Sequence, residues 1–165
     1  MSVVPGRILP KPIVRYANSS AQTDERASWN LRAVKFHKGA KLEKWAVLVI
    51  RDGGRDDFAG EADPVLDSII QGFSSMCGKS GMTVDKAPPV RLSVNLPPKN
   101  PADPTRRKAT EAIQAVLFGL KSKGIQKPKL VMVMLSNGDK HVYAGIKVSS
   151  VSSPTNHIDA HNMDS

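Results

Sequence analysis

Val131-Met132-Val133-Met134-Leu135-Ser136-Asn137-Gly138-Asp139-Lys140-His141-Val142-Tyr143-Ala144-Gly145-Ile146-Lys147 is the stretch that decides how this chain folds. With Lys129 and Leu130 in front of it, the apolar run to Leu135 is the strongest strand signal in the sequence. A polar turn follows. If the segment after that turn is helical, Tyr143 and Lys147 stand four residues apart on one helix face, near the mouth of the sheet. A phenol and an ammonium so placed can hold a phosphate and stack on the base attached to it, which makes recognition of a nucleic-acid end the leading expectation. The plainer reading is an amphipathic tyrosine covering the sheet edge beside a solvated lysine.

Outward from this stretch the same alternation recurs. Trp45-Ala46-Val47-Leu48-Val49-Ile50 is apolar enough for a strand covered on both faces, Arg91-Leu92-Ser93-Val94-Asn95-Leu96 is a further strand, and Met82-Thr83-Val84 a possible short one. Asp63-Pro64 and Asp103-Pro104 are two copies of one helix-start signal, an Asp able to cap free amides before a Pro at the first helical position. One apolar stripe follows each: Val65, Leu66, Ile69, Ile70 and Phe73 continuing to Met76 and Cys77, then Ala109, Ile113, Val116, Leu117 and Leu120. Gly78 and Gly124 stand where these helices are expected to stop. The order predicts an α/β fold, a Rossmann-like, mainly parallel sheet flanked by helices with right-handed crossovers. Ligands of such sheets bind beyond the carboxyl ends of the strands, where residues 137–147 fall. Residues 1–44, interrupted by Pro5, Pro10 and Pro12, read as an extended lead-in, residues 45–147 as the α/β domain, and residues 148–165 as an atypical, disordered tail.

With 165 residues the chain is long enough for one domain with a substantial core, and a monomer is expected. No apolar run reaches the length of a membrane span, and the first residues lack a signal-peptide pattern, so no membrane association and a cytoplasmic setting are expected, the nucleus being the alternative. Cys77 is the sole cysteine, which excludes an internal disulfide and a multi-cysteine zinc site and suggests a buried thiol. The formal charge of +9 points to a polyanionic partner, against a merely solvated basic surface. Residues 99–147 carry ten basic residues (Lys99, Arg106, Arg107, Lys108, Lys121, Lys123, Lys127, Lys129, Lys140 and Lys147) and three acidic ones (Asp103, Glu111 and Asp139), concentrating the surplus around the Tyr143–Lys147 pair. Aromatics make up 5% of the chain, which disfavours base stacking along a long strand and favours a local, end-directed site.

Other chemistries find little support. Gly78-Lys79-Ser80 resembles the tail of a phosphate-binding loop, but Phe73 replaces the required Gly and the segment follows a helix. No G-x-G-x-x-G follows the first buried strand, so no dinucleotide cofactor is expected. His157 and His161 have zinc-helix spacing without the Glu beside the first His, and a solvated tail is the simpler reading, leaving no expected metal. No serine stands in a G-x-S-x-G elbow.

Pro5-Gly6-Arg7-Ile8-Leu9 with Pro12 and Tyr16, Trp29-Asn30-Leu31-Arg32 with Phe36 and Gly39, Trp45-Ala46-Val47, Leu130 to Leu135, and Val142-Tyr143-Ala144-Gly145-Ile146-Lys147 occur in order along the chain. Read together, these segments resemble the MID region of eukaryotic Argonaute proteins with the end of the linker before it, and most of all the filamentous-fungal, quelling-type members. Residues 51–128 match in pattern more than in identity. The resemblance implies a Rossmann-like module that anchors the 5′ end of a small single-stranded guide RNA in RNA interference, or gene silencing of the quelling type. Tyr143 would stack on the first base and Lys147 contact the 5′-phosphate, while the turn Asn137, Gly138, Asp139, Lys140 and His141 would read the edge of that base through its backbone. The slicing carboxylates of the family belong to another domain, so binding without cleavage is implied, with adjoining Argonaute domains as further partners.

The sequence departs from the family after Lys147. The family continues into a strand bearing a Gln and later a helix with further Lys residues, which complete its phosphate pocket. Here Val148-Ser149-Ser150-Val151-Ser152-Ser153-Pro154 follows, with no Lys or Arg up to Ser165. The alternative from another class is a protein-interaction or scaffold fragment with a general basic surface, and a nucleotide hydrolase comes third.

Overall fold

The computed structural model describes the backbone of residues 6–122, 126–136 and 138–151, and the side chains of these except residues 22, 121–122 and 148–151. In chain order the elements are β1 (Ile13–Arg15), β2 (Ser20–Gln22), β3 (Lys41–Leu42), β4 (Trp45–Arg51), α1 (Val65–Lys79), β5 (Thr83–Val84), β6 (Val90–Asn95), α2 (Arg107–Ser122), β7 (Leu130–Leu135) and α3 (Lys140–Val151). This is a mixed α/β protein with parallel sheets. The chain divides into two compact units, Met1–Leu42 with Ile69–Lys86 and Glu43–Ser68 with Ala87–Ser165. None of the described helices is long and apolar enough to cross a membrane.

The larger unit holds a three-stranded sheet in the order β6-β4-β7, parallel throughout, as its buried apolar runs predict. β4 lies in the centre and Trp45 to Ile50 are buried on both faces. Ala46, Leu48 and Ile50 share one face with Leu92 and Val94 of β6, and pack with Leu96, with Ala109, Ile113 and Leu120 of α2 and with Val142 of α3. Burial of a side chain of this size contributes roughly 1.5–3 kcal/mol, so this cluster dominates the unit's stability. At Gly145 a Cβ would stand 2.3 Å from Thr110 Oγ1, so α3 approaches α2 more closely than any side chain there permits.

Two expectations change here. β7 is as apolar as β4, yet from Val131 to Leu135 it is only half-buried, because among the described residues it is the outer strand of the sheet and β4 the central one. The second helix-start signal is displaced. Asp63 caps α1 as expected, its Oδ1 accepting the Val65 amide at 2.9 Å with Pro64 in the first turn. Asp103 accepts the amides of Arg107 at 2.9 Å and Lys108 at 3.0 Å, so α2 starts beyond Pro104 and Thr105, after a left-handed Arg106 (φ +59°).

The smaller unit gives the lead-in more order than its prolines suggest. β1 and β2 pair antiparallel, Ile13 opposite Gln22 and Arg15 opposite Ser20, with the Tyr16 amide donating to Ser19 O at 2.8 Å to close the turn. β3 and β5 pair in parallel. Gly81 ends α1, whereas Gly78 lies within the helix's last turn. At φ +86° Gly81 donates to Gly78 O at 3.0 Å while Met82 donates to Cys77 O at 3.0 Å, a paired closure that satisfies terminal carbonyls and demands a left-handed residue. The expected helix stop at Gly124 lies outside the described residues. Cys77 is buried as expected, and burial pushes its thiol up from the ordinary value.

Candidate functional site

Because β4, β6 and β7 are parallel and in register, with Arg51 opposite Asn95 and Ile50 opposite Leu135, their carboxyl ends open together. A guanidinium with little exposure ties those ends. Arg106 is 5% exposed, and its Nη1 donates to Pro97 O beyond β6 at 2.8 Å. Its Nη2 pairs with Asp52 beyond β4, and its Nε stands 3.5 Å from Asp139 Oδ2 beyond β7. A non-glycine residue at φ +59° carries backbone strain of order 1–3 kcal/mol, and these three partners hold it there.

Asp139 begins α3. Its Oδ1 accepts the amides of His141 at 3.0 Å and Val142 at 3.3 Å, and its Oδ2 also faces Lys99 Nζ at 3.5 Å. Burial by itself would raise the Asp139 pKa, but the Val142 and His141 amides, then Lys99 and Arg106, outweigh it and hold the carboxyl below its ordinary value of 3.8. The amides of Lys108 and Arg107 lower Asp103 likewise, and those of Ala59 and Val65 lower Asp63. A lowered folded-state pKa means stability fully present above the unfolded value and lost as pH falls through the folded one. Unfolding midpoints measured by circular dichroism from pH 6 to pH 2 are therefore expected to fall once pH drops below 3.8, and less steeply in Asp139→Asn.

Beyond the cap, α3 turns Val142 and Gly145 inward and exposes Lys140, His141, Tyr143, Ala144 and Lys147. The helix and the spacing bring the expected pair together: Lys147 Nζ stands 4.7 Å from the centre of the Tyr143 ring, which is 56% exposed. An ammonium at that distance is attracted by the ring quadrupole.

The turn before α3 is placed differently residue by residue. Asn137 lies outside the described residues, and Gly138 is exposed. The Asp139 carboxylate is engaged by the helix start, Lys99 and Arg106, and so occupies amides that an incoming anion would use. Lys140 and His141 line a depression of about 540 Å³ with Lys99, Asn100, Pro101 and Arg106 among its other walls. His157 and His161 also lie outside the described residues, whereas the backbone expected to belong to the tail is helical through Val151.

The basic surplus is smaller at the surface than the sequence suggests. Arg106 is internal, and Lys99, Arg107 and Lys129 face Asp139, Glu111 and Glu43. Lys108, Lys140 and Lys147 are exposed. Sequence reasoning counts Arg106 only within the basic surplus and does not single out Asp52. Arg106 sits in the run Arg106-Arg107-Lys108, where nothing local marks which of the three turns inward, while Asp139, read as part of the base-reading turn, stands before an amphipathic segment where an N-cap belongs. Among the described residues no group of three His, Cys, Asp or Glu side chains is placed to hold a metal ion. No protein-family model matches the sequence.

Proposed function

We propose that this chain is an Argonaute MID-like, Rossmann-like binding module that anchors the 5′-phosphorylated end of a small guide RNA in RNA-mediated gene silencing. Tyr143 stacks on the first base and Lys147 pairs with the phosphate. The observation that carries the reading is the Lys147 ammonium over the exposed Tyr143 ring, on a helix that starts where the parallel strands end. A terminal phosphate carries nearly two negative charges, which suits an ammonium held beside a stacking surface. The chain acts without catalysis in the cytoplasm, with adjoining Argonaute domains as partners.

Fluorescence-anisotropy titration of one short single-stranded RNA, as the 5′-phosphate and as the 5′-hydroxyl, tests this. The phosphate form is expected to bind more tightly, and Lys147→Ala to weaken it about 10- to 150-fold, as loss of one charged hydrogen bond implies. Tyr143→Ala weakens both forms. Equal binding of the two RNAs by the unaltered chain would refute the reading. A second reading, a protein-interaction fragment, draws support from exposed Leu31 and Met76, which line a depression of about 710 Å³ with Arg32, Lys35 and Lys79. It predicts charge-dependent RNA binding indifferent to the end group.

A further inference from the structure

We infer that Arg106 is the positioning residue of the end site: through its buried ion pair with the Asp139 carboxylate that caps α3, it sets where that helix carries Tyr143 and Lys147 relative to the strand ends. The inference rests on the proposed function and deepens it. Arg106 is no ligand of the phosphate, since it is buried, its two terminal nitrogens donate to Pro97 O and Asp52, and its Nε faces Asp139 at 3.5 Å as an ion pair without a hydrogen bond.

Each of those partners follows a different strand of the parallel sheet, so one planar group, with donors fixed in a fork, registers three strand ends against one another. Only the Asp139 branch continues into a functional element. Asp139 holds the first amides of α3 through Oδ1 and faces Arg106 through Oδ2, so the carboxylate is a two-sided joint between the arginine and the helix. The left-handed backbone of Arg106 aims the side chain inward just before α2 begins. A strained backbone at a buried charge, where Arg107 and Lys108 beside it are exposed, marks a position whose geometry the rest of the molecule over-determines.

Leverage makes the joint matter for recognition. Lys147 lies eight residues beyond Asp139, about 12 Å along a helix, so a swing of roughly 5° at the cap moves its stem by about 1 Å. Displacements of that size are enough to cost on the order of 100-fold where a charged group must meet a fixed partner. Val142 and the close Gly145–Thr110 approach hold α3 against α2 laterally, while the Arg106–Asp139 contact fixes its start.

The test uses Arg106→Lys, which keeps the charge but cannot reach three partners, and Asp139→Asn, which keeps the shape of the cap but not its charge. In the full chain, 5′-phosphate and 5′-hydroxyl RNA are titrated at equal folded fraction, and amide hydrogen exchange is followed from His141 to Lys147. Both variants are expected to reduce the phosphate-to-hydroxyl affinity ratio about tenfold or more, to weaken 5′-hydroxyl binding to a smaller extent through the displaced Tyr143 ring, and to lose protection in α3 while β4 keeps it. A purely structural arginine would lower both affinities together and leave the ratio unchanged, and that result overturns the inference while the proposed function stands. If the unaltered chain shows no phosphate preference, the proposed function falls and the inference with it. Should Arg106→Lys fail to fold, Asp139→Asn alone decides: an unchanged ratio overturns the inference, and a reduced one supports it.

Discussion

Arg106→Gln is expected to lower folding stability by about 3–5 kcal/mol, because it removes one partner of a buried charge network and leaves the others in place. Asp52 and Asp139 have side chains 7% exposed, and the carbonyl of Pro97 loses its donor as well. Asp139 keeps the amides of His141 and Val142 and the neighbouring Lys99, which places the effect nearer the lower figure. Gln is no easier than Arg to hold at φ +59°, so this variant reads the side chain alone. Arg106→Gly separates the two contributions: glycine relieves the left-handed backbone, and it should be less destabilised than Arg106→Ala by about 1 kcal/mol. Urea unfolding followed by tryptophan fluorescence measures both differences. Equal stabilities of the Gly and Ala variants would show that the backbone at Arg106 carries no strain.

Gly39→Ala is expected to cost at least about 3 kcal/mol, the upper end for overpacking, because no side chain can move aside to accept it. A Cβ there would lie 1.9 Å from Gly81 O and 2.8 Å from its carbonyl carbon, both backbone atoms. Gly81 is itself fixed by the closure of α1, and hydrogen bonds from Phe36 to Ser80 O at 2.9 Å and from Thr83 to Ala40 O at 3.1 Å bracket the approach. The strands must separate, and β3 and β5 have only two paired positions with which to resist. Hydrogen exchange is the measurement: the Phe36, Thr83 and Asp85 amides should lose protection while those of β4 keep it. Unchanged protection at Thr83 would show that the two strands do not meet at Gly39 in solution.

Several elements were legible because one local signal outweighs its competitors. The continuous apolar run of β4, the alternation of strand and helix from Trp45 onward, the Asp63 cap and the buried Cys77 all follow from periodicity and side-chain chemistry. The Tyr143–Lys147 pair follows from helical spacing once the turn before it is recognised. Other features were not. Prolines block helix but do not forbid short strands, so β1 and β2 form within the lead-in, β1 directly after Pro12. Gly78 and Gly81 stand within one turn of each other, and only the backbone closure selects Gly81 as the helix end.

By itself, then, the sequence determined the main strands and helices from Trp45 onward and which two side chains share the exposed face of α3, because these depend on periods of two and of about 3.6 residues along the chain. Tertiary structure alone decided that, among the described residues, β4 is the central strand and β7 an outer one, since two equally apolar runs differ only in how many neighbours they receive. It alone turned Arg106 inward while Arg107 and Lys108 face solvent. Its partners Asp52, Pro97 and Asp139 stand 54, 9 and 33 positions away in the chain and converge only when three parallel strands end side by side.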